Sequence, residues 1–557
     1  MTDMTNTPQL DPLPARPAVA RRPRLWRSVV AFLVSVSILL AMTGVAVFAQ
    51  TGATGGPVYV PATAVGYAEL RLDLPGDQHD QLSAFMAHFP GFADAAAFDT
   101  KLNQLLDQAL SSGTGGAATW TGNVQTWFNG QAGIGLLALP TTAGAQPSIV
   151  VGLGVRDRAA LETQVTAMQG SETVTTQDYA GATITTAGNA SYAVTDSYLL
   201  VSPAVADVEA SLDVLAGTSP SLASDPGYQA ARATQPADDI GSFYLSTASL
   251  QPFLEQMLGQ QSGGAMLVGQ LASLPTWVAG YAQVASDHLA IGASAQLAVA
   301  GMVPSVRETD LAAHFPAATL LYYEAHDLGG IIDMLLAQVR PQLAADPKGT
   351  QQISGIEQQF GAKLEKLFDF VQDGAVGIGF DGQRLSAGIV ATLSDPAVGA
   401  RRVQVLLGLL QLSGALPADI TTADVNGTTV TTITMQPSAN IPANLPFDPS
   451  VSIAVADGHL YIGLGDFAAT AMAQDPATSL ATDARYSTAV TAAGTPNSGV
   501  LWVDVAAAAP LLVQMAGADN AAYETNIKPW VDALDTFVAT AAVDGDIASL
   551  KALLFVK

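Results

Sequence analysis

There is no cysteine among the 557 residues. This excludes disulfides, thiolate-bound metals, a cysteine nucleophile and a lipid-modified N-terminal cysteine, so any membrane attachment must be a peptide segment. Charge is scarce as well. Only 13% of residues are Asp, Glu, Lys or Arg, with 22 basic against 48 acidic. Residues 1–49 hold five Arg and two Asp, which leaves 17 basic against 46 acidic groups in the remainder, a net of −29. A surface of that sign repels phosphate backbones and argues against a nucleic-acid partner. Six histidines stand at 79, 88, 288, 314, 326 and 459, and none pairs at the i, i+4 spacing that aims two imidazoles at one zinc ion. The G-x-S-x-G elbow, the Walker loop, H-E-x-x-H and the EF-hand loop are all missing. Local sequence therefore assigns no catalytic residue, no cofactor and no metal.

What is present begins with "RRPRLWRSVVAFLVSVSILLAMTGVAVFAQ". Val29 to Phe48 is an uncharged run long enough to cross a hydrocarbon core. Arg21, Arg22, Arg24 and Arg27 precede it and no basic residue follows closely, so the N-terminus is expected in the cytoplasm and the bulk of the chain outside it. A cleaved signal peptide, with Val47 and Ala49 ahead of the cut, is the rival reading. The expected organisation is a cytoplasmic tail at 1–25, a transmembrane helix at 26–49 and a linker at 50–57.

The remainder repeats itself. "SLASDPGYQAA" from Ser221 returns as "SLATDARYSTA" from Ser479, and at the same offset "GSFYLSTASLQPFLEQM" (241–257) lies over "GVLWVDVAAAAPLLVQM" (499–515). Upstream, "TTQDYAGATITT" (175–186) matches "TTADVNGTTVTT" (421–432), "AGIGL" (132–136) matches "VGIGF" (376–380), and "PATAVGYAE" (61–69) matches "PAATLLYYE" (316–324). Trp277 with Val278 lies over Trp530 with Val531. A collinear series of this length implies an internal duplication, with one α+β domain at 58–303 and a second at 304–557.

Each half alternates hairpins with helices. Asn426-Gly427, Asp457-Gly458, Asp381-Gly382 and Asp544-Gly545 sit between β-branched arms, where residues that tolerate positive φ close two-residue turns. Apolar residues at three- and four-residue intervals predict helices over 159–168, 204–217, 250–259 and 356–371. The expected fold is an antiparallel sheet in each half with helices on one face. Ser224 and Thr482 are expected to cap the short helices that follow them. "GIGFDG" (377–382) spells G-x-G-x-x-G, but a strand rather than a helix follows, so it is expected to be a hairpin and not a nucleotide loop.

The membrane anchor, the "P-A-T" strand start, "WFNGQAGIGL" (127–136) and "SLASDPGY" together resemble a bacterial family known as domain of unknown function 3352. The resemblance implies a membrane-anchored extracytoplasmic protein and brings no catalytic residues with it.

One polar pattern stands out. Period-two alternation puts Tyr322, Glu324 and His326 on one strand face, and Tyr67, Glu69 and Arg71 on the matching face of the first half. Glu69, Arg71, Glu324 and His326 are the candidate polar residues, expected on a solvated face or lining a groove and holding no metal. The expected function is a non-catalytic envelope module that binds a partner protein or an apolar ligand. An extracytoplasmic hydrolase using Asp/Glu acid–base chemistry and a lipid-binding protein are the alternatives.

Overall fold

The computed structural model describes residues 56–557 apart from short stretches, the longest being 260–270, 436–446 and 516–520. The tail at 1–25, the expected membrane helix at 26–49 and most of the linker lie outside the described residues. Among the described residues no helix is long and apolar enough to cross a membrane.

Ten strands precede residue 300: β1 (Gly66–Arg71), β2 (Phe128–Ala138), β3 (Ser148–Val155), β4 (Val174–Tyr179), β5 (Ala182–Ala187), β6 (Ala190–Val194), β7 (Tyr198–Ser202), β8 (Gly241–Ser246), β9 (Trp277–Val284) and β10 (His288–Gln296). Ten follow: β11 (Thr319–Ala325), β12 (Val371–Phe380), β13 (Leu385–Leu393), β14 (Ala418–Val425), β15 (Thr428–Met435), β16 (Ser450–Ala456), β17 (His459–Leu464), β18 (Gly499–Asp504), β19 (Leu534–Asp544) and β20 (Ile547–Val556). The antiparallel pairings run β4-β5-β6-β7-β3-β2-β1-β8-β9-β10 in the first half. In the second half they run β14-β15-β16-β17-β13-β12-β11-β18-β19-β20, which is the same order position for position. β10 pairs with β20 and joins the two sets into one sheet.

Turn chemistry sets the hairpins. Ala180-Gly181, Asn426-Gly427 and Asp457-Gly458 all carry positive φ at both central residues, as two-residue turns between right-twisted strands require. The predicted helices at 159–168, 204–217 and 250–259 are found at Arg158–Gln169, Val205–Leu215 and Thr247–Gly259. The helix predicted over 356–371 is different: it runs Pro347–Phe360 and stops at Gly361, which takes φ +63. Val371 already belongs to β12.

Helices cover both faces of the outer sheet, not one. In the first half Val205–Leu215 and Pro226–Arg232 pack on the face of Tyr67, Val150 and Tyr244, while Gln78–Met86 and Phe98–Thr114 pack on the opposite face of Val151 and Leu153. The second half has a core of Tyr322, Val390 and Trp502 on one face and satellite clusters around Leu393 and Leu407 on the other. Strands such as "SIVVGLGV" are apolar on successive residues, so both of their faces must be buried.

The repeated eleven-residue stretch has a packing role. Asp225 accepts a hydrogen bond from Tyr228 N at 2.9 Å, and Asp483 accepts from Arg485 N and Tyr486 N. The caps are thus the aspartates and not Ser224 or Thr482, whose hydroxyls bond back to the carbonyls of Ser221 and Ser479 one turn earlier. The capped helices present Tyr228 to Tyr67 and Tyr244, and Tyr486 to Tyr322 and Trp502, as two matching edge-to-face trios. Trp277 and Trp530 do not match. Trp277 opens β9 in the core beside Ser246, the place that Thr536 takes beside Asp504, whereas Trp530 lies exposed on the short helix Lys528–Val531 against Phe89 and Phe92. The extra turn of helix before β19 displaces it from the core.

Candidate functional site

The polar strand face of β11 is interior, not solvated. Glu324 is 5% exposed and His326 0%, while Tyr323 on the opposite face is 49% exposed. The strand's period of two is as expected, but its hand is inverted: the helices Phe467–Met472 and Ala484–Ala493 close over the polar side.

Glu324 is held by three donors. Thr309 Oγ1 reaches Oε1 at 2.6 Å, His326 Nε2 reaches the same oxygen at 2.8 Å, and the Tyr322 hydroxyl donates to Oε2. His326 Nδ1 lies 3.0 Å from the Ser305 carbonyl. Both ring nitrogens face acceptors, a demand that the imidazolium meets. Burial opposes that charge, but the hydrogen bonds to Glu324 and Ser305 outweigh it and raise the pKa of His326. Beside it Asp373 accepts from Arg307 and from the Asp327 amide.

The first half repeats the scheme with an arginine. Tyr67 donates to Glu69 at 3.0 Å, Arg71 stands 4.0 Å from Glu69, and Arg71 binds Asp73 through two nitrogens at 3.2 and 3.0 Å. Burial pushes the Glu69 carboxyl up, against the Tyr67 hydroxyl and the Arg71 charge. It likewise pushes Asp239 up to about 6 despite its two hydrogen bonds from Arg232. The structure thus brings Glu69 to Arg71 and Glu324 to His326, each pair within its own half. Carboxylates saturated by donors in a closed interior meet no substrate; they satisfy one another and fix strand register.

Two features were not visible in local sequence. The first is a histidine pair. His314 ends the short turn Leu311–His314 and His459 opens β17, yet their rings lie 4.6 Å apart with Asp310 alongside. Burial and the neighbouring His459 lower the pKa of His314. No spacing rule pairs residues so far apart in sequence. The second is the apolar face opposite Glu69 and Glu324. Across the centre of the sheet it carries Ala68 and Leu70 on β1, Phe243 and Leu245 on β8, Gly280 and Ala282 on β9, and Ile291 and Ala293 on β10. Beyond the seam it continues through Leu550 and Ala552 on β20, Ala539 and Ala541 on β19, Leu501 on β18 and Tyr323 on β11. Alternate residues across seven adjacent strands are apolar, and the Tyr323 hydroxyl is the lone polar side-chain group among them. Ile291 is 53% exposed and Leu550 47%. A cleft of about 600 Å³ beside the helix Arg158–Gln169 is lined instead by groups that answer each other, Arg158 donating to Glu162 and Asp196.

No curated protein matches the chain. Among solved structures, "Structure of crystal form III of TP0453" is 11% identical over 45% of this chain and 83% of that one, with a TM-score of 0.24. "Structure of crystal form IV of TP0453" is 10% identical over 44% of this chain and 81% of that one, also at 0.24. At that TM-score the likeness carries no inference about this chain. Residues 28–556 match the protein family of unknown function DUF3352, nearly the whole length of the chain, and the chain belongs to that family.

Proposed function

We propose that the protein is a membrane-tethered, extracytoplasmic, non-catalytic binding protein that holds acyl chains on the open apolar face of its central sheet. The uncharged run at 26–49 behind its arginine cluster supports the tether, and the strongly acidic remainder supports an extracytoplasmic location. The identical pairing order of β1–β10 and β11–β20 supports two copies of one domain, at 58–303 and 304–557, laid edge to edge.

The observation that carries the binding reading is the inversion of polarity. The central strands keep their carboxylates, hydroxyls and guanidinium inside and leave Phe243, Ile291, Tyr323 and Leu550 exposed. A contiguous apolar surface of this kind marks a binding face. Its backbone groups are paired within the sheet, and its side chains offer almost nothing to hydrogen-bond. Protein partners ordinarily find about one hydrogen bond per 100–200 Å²; an acyl chain needs none. Ala282, Ala293, Ala541 and Ala552 lie between the larger Ile291 and Leu550, which suits a narrow, flexible occupant.

Cells expressing the full chain would be fed a photoactivatable fatty acid, irradiated, and the cross-linked peptides mapped by mass spectrometry. Label on the peptides carrying Phe243, Ile291 and Leu550, reduced by the double variant Ile291→Asp, Leu550→Asp, is the expected outcome. Label confined to residues 26–49 would reject acyl binding by the sheet.

A further inference from the structure

We propose that Asp310, His314 and His459 form a binding site for one divalent transition-metal cation of the zinc class. These are the residue types that hold zinc, and two neutral imidazoles with one carboxylate leave a fourth position for water. One ligand atom from each lies within 4.8 Å of the other two. Zinc–ligand bonds of about 2.0–2.2 Å put tetrahedral ligands roughly 3.5 Å apart, so the three atoms must draw together by about an ångström. The Asp310 side chain is mostly exposed and free to make that move.

The orientation of His459 points independently to a ligand. The residue is 8% exposed, and its Nδ1 lies 3.0 Å from the Asp457 carbonyl. A carbonyl only accepts, so Nδ1 carries the proton and Nε2 is left with its lone pair. That nitrogen is buried without any hydrogen-bond partner. It faces Asp310 Oδ1 at 3.7 Å, beyond hydrogen-bond reach. A ring locked by a carbonyl at one nitrogen with the other nitrogen bare is the arrangement of a metal-ligating histidine. The Asp457-Gly458 turn, which places Asp457 O under the ring, is part of the same device.

His314 is steadied in turn by Tyr461, whose hydroxyl lies 3.3 Å from Nδ1, and by a hydrogen bond to the backbone of Ala471. The first half shows that packing does not demand these imidazoles. At the matching place Tyr59 and Tyr198 stack at 5.0 Å, where the second half has His314 and Tyr461 at 5.5 Å. Two phenols close the fold there, so the histidine pair answers some other requirement. The site does not depend on acyl-chain binding and lies on the opposite, helix-covered face.

The test uses the full-length protein, stripped with a chelator and titrated with zinc chloride by calorimetry, with thermal melts in parallel. One zinc per chain is expected, with a melting temperature that rises with zinc concentration because the ion binds the folded state. Asp310→Asn, at an exposed position, should weaken zinc binding by roughly tenfold or more while leaving the zinc-free melting temperature unchanged. His459→Gln should abolish the stoichiometric site, and Glu324→Gln should retain it. Absence of stoichiometric zinc, or zinc binding that survives both Asp310→Asn and His459→Gln, would overturn the proposal.

Discussion

Glu324 and His326, alternate residues of β11, close a hydrogen bond of 2.8 Å inside the second half of the protein. The ring's other nitrogen meets the Ser305 carbonyl, so this strand is tied through one imidazolium to the segment that joins the two halves.

Stability should therefore depend on pH in a definite direction. Burial alone would lower the pKa of His326, but the bonds to Glu324 and Ser305 raise it on balance. A folded-state value above the unfolded one, about 6.5, gives a contribution that is full below the unfolded value and lost as pH rises through the folded one. The melting temperature should fall as pH is raised from about 6 into the alkaline range. His326→Gln should remove that part of the slope, and should cost about 3–5 kcal/mol at pH 6 by leaving Glu324 buried without its partner. A wild-type slope retained in the variant would refute the assignment.

Helix capping offers a second test. Asp483→Ala removes the acceptor for two amides at the start of Ala484–Ala493 and should cost about 1 kcal/mol in urea unfolding. Thr482→Ala removes only a hydroxyl that bonds back to Ser479, and the smaller effect should fall there. The reverse ranking would restore Thr482 as the cap.

Close packing gives a third. A Cβ built on Gly388 would meet the Phe467 ring at 2.2 Å, and one on Gly463 would meet it at 2.5 Å. These paired glycines make the hollow in which Phe467 seats the helix Phe467–Met472 on the sheet. Gly388→Ala should destabilise by about 1–3 kcal/mol, and the double variant Gly388→Ala, Phe467→Leu should recover part of the loss. Absence of any recovery would show that the ring is not the obstacle.

The two faces of the sheet should respond oppositely to charge. Ile291→Asp puts a carboxylate where solvent already reaches and should cost about 1 kcal/mol or less. Val538→Asp, on the enclosed face beside Trp502, should cost more than about 4 kcal/mol or prevent folding. Comparable losses at both sites would mean that the Ile291 face is closed in solution.

Topology is checked with a periplasm-active reporter fused after Lys557. The arginine cluster ahead of Val29 predicts activity there, and a mature N-terminus at Gln50 would select the cleaved signal peptide over the anchor.

The hairpins, most of the helices and the echo between the halves were legible in the residues themselves, because each rests on local chemistry. Asn426-Gly427 and Asp457-Gly458 accept positive φ wherever they stand, and apolar spacing selects helix or strand within a few residues. The pairing of Glu324 with His326 was likewise fixed by a period of two on one strand. What that period leaves open is which side faces inward. This depends on where helices from distant parts of the chain settle, and here they settle over the polar side. The shift of the cap from Thr482 to Asp483 depended on a single turn of 3₁₀ helix, and the displacement of Trp530 on an extra helical turn before β19. His314 and His459 meet only because β13 and β17 pair, an event of tertiary folding that no spacing in the sequence records. Local chemistry wrote the elements; long-range strand pairing and the choice of covered face decided which side chains meet.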